Sequence, residues 1–91
     1  MHTVEILEHA LRAVRKAGYQ LREEWLGGSG GGACVLRGKK QLFLDLAQSP
    51  AEHLAHAVAA LRSEPPSVTH KLPLELQALL ELEESPHASV R

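Results

Sequence analysis

From Val4 to Ala17 apolar residues recur at three- and four-residue spacing: Ile6, Leu7, Ala10, Leu11, Val14 and Ala17 fall on one stripe. Glu5, Glu8, His9, Arg12, Arg15 and Lys16 fall opposite, with Glu8 and Arg12 in the favourable i,i+4 order. The spacing predicts a helix over 4–17, with Thr3 as its N-cap and Gly18 as a left-handed stop. The period then falls to two. Residues 19–26 place Tyr19, Leu21, Glu23 and Trp25 on one face and Gln20, Arg22, Glu24 and Leu26 on the other, a strand with neither face cleanly apolar. Residues 33–37 and 41–46 predict two more strands, the last with Leu42, Leu44 and Leu46 toward a core and Gly38-Lys39-Lys40 as the turn between them. Short connections between three strands point to an antiparallel meander.

Ser49-Pro50-Ala51-Glu52 is a helix start: Ser49 caps, Pro50 takes the first turn, and Glu52 closes a capping box. That helix is expected over 50–62, burying Ala51, Leu54, Ala55, Val58 and Leu61. Pro65-Pro66 ends it, and 63–72 reads as an extended linker. A last helix is predicted over 73–84, followed by a disordered tail at 86–91. Its leucines at 74, 76, 79, 80 and 82 do not share a stripe, so this helix needs partners on more than one side. The expected architecture is a single α+β domain in the order helix, three-stranded antiparallel β-meander, helix, helix.

Composition narrows the function classes. With 91 residues, 44% of them hydrophobic but only 3% aromatic, the core must be small and aliphatic, with Tyr19, Trp25 and Phe43 as its only large rings. Ten basic residues against eleven acidic ones give no general pull toward nucleic acid or an anionic membrane. No secretory leader and no run of about 18 apolar residues is present, so no membrane association is expected. The single Cys34 has no partner for an internal disulfide and fits a reducing compartment, which reads as cytoplasmic.

Five of the six residues from Gly27 to Gly32 are glycine, and each sacrifices more backbone entropy on ordering than another residue would. Either the loop stays mobile or something needs its bare backbone. Successive unobstructed N–H groups can cradle an anion, so Gly27, Gly28, Gly30, Gly31 and Gly32, with Arg22 or Lys39 nearby, are candidates for a small-anion or nucleotide site. No nucleotide motif supports this. A Walker A loop ending at Gly38-Lys39 would need glycine where Ala33 stands and a hydroxyl where Lys40 stands. A dinucleotide fingerprint would run from a strand into a helix, whereas this loop joins two strands.

Other chemistry is weaker still. Cys34 alternates with Leu36 and has no histidine on a neighbouring strand, so it reads as a small buried side chain and no catalytic residue is expected. His53 and His56 are three apart, but the helical wheel turns His56 toward solvent and His53 to the flank, and no metal or cofactor is expected. His2, His9, His70 and His87 add nothing. Arg37, Lys39 and Lys40 form a basic turn without interleaved aromatics. Glu23 belongs either at the sheet's rim or beside an arginine. If Leu42, Leu44 and Leu46 face inward, Phe43 and Asp45 point outward beside Arg37, with Arg22 and Glu24 on the outer strand, a face with both signs of charge suited to a partner or a second copy unless the last helix covers it. The leading expectation is a non-enzymatic interaction module that self-associates or binds a protein through Phe43 and this face, or through Leu74, Leu76, Leu79, Leu80 and Leu82. Anion or nucleotide binding at the glycine loop is the alternative.

The run Arg22-x-Glu24-x-Leu26-Gly27-Gly28, Gly30-Gly31-Gly32-x-Cys34 and Gly38-Lys39-x-x-Leu42-Phe43-Leu44-Asp45 resembles small bacterial proteins with no assigned activity. The resemblance covers the middle third of the chain. It implies a bacterial, cytosolic setting and transfers no catalytic or binding residue.

Overall fold

The computed structural model describes residues 2–82. The expected tail at 86–91 and the end of the last helix, 83–84, lie outside them. In chain order the elements are α1 (Thr3–Lys16), β1 (Gln20–Glu24), β2 (Gly32–Leu36), β3 (Lys39–Asp45), α2 (Pro50–Leu61), α3 (Pro66–Thr69) and α4 (Leu74–Leu82). The fold is α+β. A one-turn helix, α3, occupies part of the stretch expected as an extended linker, because Pro66 has the φ that a first helical turn requires.

Local signals place the two long helices. At α1 the cap is His2 rather than Thr3, and its amide donates to the Glu5 carboxylate at 3.0 Å. Beyond the helix Gly18 takes a φ of +100°, a conformation that glycine adopts at little cost. Arg12 meets His9 at 3.5 Å and forms no ion pair with Glu8. At α2 the capping box closes: Ser49 Oγ accepts from the Glu52 amide at 3.3 Å, and Glu52 Oε1 accepts from the Ser49 amide at 2.8 Å.

The sheet corrects the meander. Its strand order is β1-β3-β2, and it is mixed: β1 pairs with β3 in parallel, with Leu21 opposite Leu42, while β2 pairs with β3 antiparallel, with Ala33 opposite Leu42. The β2–β3 hairpin turns on Arg37 (φ +53°) and Gly38 (φ +80°). Two successive positive φ values mark the two-residue turn whose twist matches the strands, one residue earlier than expected. The connection 25–31 is no tight turn. It is long enough to step over the end of one strand, a span of about 10 Å between the strands on either side, and β1 therefore reaches the far side of β3. Central position goes to β3, the strand with the strongest apolar face.

Helices cover one face of this sheet. Leu42 and Leu44 meet Ile6, Ala10 and Val14 of α1, Ala57, Val58 and Leu61 of α2, and Leu76 of α4 in one buried cluster. On α2 the wheel is rotated from the expected one: Ala57 and Ala60 are buried, whereas Ala51 and Ala55 are exposed. Leu46 also points out of the core. None of the three rings expected in the core belongs to its buried cluster; Trp25 is 74% exposed, and Tyr19 and Phe43 are partly buried. Two polar bridges fasten the elements. Lys40 reaches Glu64 at 3.1 Å and lies 4.6 Å from the Tyr19 ring centre, and Arg62 Nε donates to the Leu80 carbonyl at 2.9 Å.

Candidate functional site

The glycine connection carries the chain from β1, at one edge of the sheet, to β2 at the other. In doing so it crosses the C-terminal end of β3, where Asp45 sits with no exposed surface. Asp45 Oδ1 accepts from the amides of Leu26 (3.0 Å) and Ala47 (2.9 Å), and Oδ2 accepts from those of Gly28 (2.7 Å) and Gly30 (3.2 Å). Only an ionised carboxylate offers four acceptor positions with no donor. Burial on its own would raise the Asp45 pKa, but the four amide donors outweigh it and hold the group below its ordinary 3.8. The loop is an anion nest, and its anion is a side chain of the same molecule.

This geometry explains the glycines. Gly27, Gly28, Gly31 and Gly32 all have positive φ, which lets neighbouring amides turn toward one carboxylate. At Gly30 a Cβ would stand 2.7 Å from the Leu26 Cβ, and at Gly31 it would stand 3.1 Å from both the Phe43 carbonyl oxygen and His56 Nε2. The loop is thus backed by α2. His53 Nε2 donates to the Asp45 carbonyl at 2.7 Å, which fixes the tautomer protonated at Nε2, and Gln48 Nε2 donates to the Gly28 carbonyl at 3.1 Å. His53 and His56, expected at the flank and toward solvent, are partly buried supports of this crossing. Among the described residues no three metal-ligating side chains converge.

The expected site residues separate into different surroundings. Arg22 stands on the open sheet face, bonded to Glu24 Oε2 (3.0 Å) and Gln41 Oε1 (3.4 Å), with its guanidinium 5.6 Å from the Phe43 ring centre. Lys39 is at the hairpin end of β3, the length of that strand away from the glycine loop. Cys34, expected to be buried, is partly exposed on the open face opposite Gln41. Glu23 is exposed at the rim. The five leucines of the last helix divide: Leu76 is core, Leu79 and Leu80 pack against it, and Leu74 (82% exposed) and Leu82 (67% exposed) face outward. Comparison with protein-family models, curated proteins and solved structures finds no match.

The open face is formed by Arg22 and Glu24 of β1, Gln41 and Phe43 of β3, and Cys34 and Leu36 of β2. The helices pack on the other side of the sheet, and α4 packs on α1 and α2 instead of covering this face. Asp45, which the alternation places outward beside Phe43, has no exposed surface, and its role as acceptor for the loop was not foreseen. The signal was present in outline: an acid closing an apolar strand, downstream of a loop rich in unobstructed amides.

Proposed function

We propose that this chain is a non-enzymatic interaction module that self-associates through the open face of its sheet, a second copy being the occupant. One observation carries the reading: a sheet face that no described helix covers presents Phe43 toward one end and Leu36 toward the other, with Gln41 and Cys34 between them and a paired Arg22 and Glu24 beside Phe43. Charges of opposite sign two residues apart on one strand are self-complementary, because a two-fold axis sets Arg22 of one copy against Glu24 of the other. A net charge of −1 opposes that approach very little. A three-stranded face measures roughly 300 Å2 in plan, well below the ~800 Å2 per partner of a standard interface, so a reversible dimer in the micromolar to millimolar range is the expected strength.

The glycine loop has a structural role in this reading. An added phosphate would meet amides already bonded to Asp45 and a like charge behind them, so the geometry favours an internal latch over anion or nucleotide binding there. A cytoplasmic setting belongs to the same proposal, supported by the unpaired thiol of Cys34. Among the described residues no helix is long and apolar enough to cross a membrane.

Light scattering and sedimentation over a concentration series test the proposal. The expected result is a mass that rises with concentration and falls back to the monomer value in Leu36→Lys, but not in Leu74→Lys. A monomer at every concentration, or loss of association only in Leu74→Lys, removes the sheet face from consideration.

A further inference from the structure

On the far side of the core from the open sheet face, a cleft of about 370 Å3 opens between α1 and the segment around α3. It exists because α1 packs on α2 and α4 and does not close against α3. The residues that α1 contributes, His9, Arg12, Ala13 and Lys16, are spaced i, i+3, i+4 and i+7, and so lie along one face of the helix beside its core stripe. The floor is apolar: Ala13 is buried, and Val68 and Leu72 are partly buried.

The rim is cationic. Arg12 and Lys16 approach from α1 and Lys71 from the turn after α3, and among the described residues no acidic side chain lines the cleft. None of these three cations forms an ion pair among the described residues. Among the described residues Arg12 makes one polar contact, with the His9 ring at 3.5 Å, and Ser67 also lines the cleft. In a chain of net charge −1, three positive charges gathered from two elements around an apolar floor form a local field that the overall composition hides.

We infer that this cleft binds a small organic phosphate, with the phosphate held by Arg12, Lys16 and Lys71 and the carbon body lying on Ala13, Val68 and Leu72. A phosphomonoester carries close to two negative charges at neutral pH and several acceptor oxygens, which suits a guanidinium fork beside two ammonium groups. The volume is at the small end of the range for ligand clefts, which suits a compact organic body. The site is separate from the sheet face, so its fate does not depend on the self-association reading.

The test is a titration of the full chain, followed by amide chemical shifts, with hexyl phosphate, inorganic phosphate and hexanol in parallel. Saturable shifts confined to residues 9–16 and 67–73 are expected with hexyl phosphate, weaker ones with inorganic phosphate and none with hexanol. The triple variant Arg12→Gln, Lys16→Gln, Lys71→Gln changes exposed side chains only and should keep its fold, as circular dichroism would show, while losing roughly tenfold or more in affinity. Arg15→Gln, on the same helix but outside the cleft, should bind like the parent chain. Flotation with phosphatidate vesicles separates the two sources of such a group. Soluble binding without retention on vesicles assigns the site to a free small molecule, and retention that the triple variant loses assigns it to a lipid headgroup. Absence of both, or an affinity unchanged in the triple variant, overturns the inference.

Discussion

Asp45 gathers four backbone amides on one carboxylate. Removing its charge, by protonation or as Asn, turns one carboxylate oxygen into a donor and weakens the bonds to the other, so the pairs of amides that meet Oδ1 and Oδ2 can no longer all be satisfied. Its folded-state pKa lies below the roughly 3.9 of an unfolded chain. The stabilisation is therefore complete above that unfolded value and is lost as pH falls through the folded one. Urea unfolding at pH 7, 4 and 3 should show stability falling below about pH 4, with Asp45→Asn less stable at pH 7 and flatter across the acid range. The glycines allow a second comparison. Gly27 has a φ of +86°, and a Cβ added there would meet nothing within 4 Å, so Gly27→Ala carries only the backbone cost of about 1–2 kcal/mol. Gly31 adds two contacts at 3.1 Å, one of them with a backbone oxygen that cannot swing away. Gly31→Ala should be measurably the more destabilising of the two in the same unfolding assay.

At the scale of elements, the legible features were those written in neighbouring residues. The Ser49-to-Glu52 box and the α1 stripe are local, and both helices form where these signals place them. The face that α2 buries was not legible, because an alanine-rich helix offers little contrast between its sides and the sheet decides which alanines go in. The partner of β1 was hidden for a different reason. Its partner lies some twenty residues downstream, beyond a loop that Asp45 holds, and no periodicity in residues 20–24 records that pairing. The hairpin keeps one strained position, Arg37 at φ +53°, so Arg37→Asn should stabilise the protein by about 0.5–1 kcal/mol, read as a higher urea midpoint. For α4, Leu76 is the buried anchor and Leu74 is solvent-facing. Leu76→Ala should cost about 2–5 kcal/mol, and Leu74→Ala should stay within about 0.5 kcal/mol of the parent.

Across the whole molecule, a three-stranded sheet separates two surfaces of different character. Its helical side carries the core and, beyond α1, the cationic cleft; its other side is bare of any described element. Among the described strands only β3 has hydrogen-bonded neighbours on both edges, so within the sheet hydrogen exchange should be slowest at the amides of Leu42 and Leu44 and much faster in β1 and β2. The strand order also has a consequence in time. As the chain leaves the ribosome, α1 and β1 appear first, yet β1 has no strand to join until residue 45 has been made. The β2–β3 hairpin, closed by its own two-residue turn, is ready before β1 can be placed. Asp45 is the last residue of that hairpin, and its arrival both completes β3 and gives the waiting loop something to close upon. The topology thus makes the docking of β1 wait on the far end of β3: the sheet can close only once Asp45 is in place.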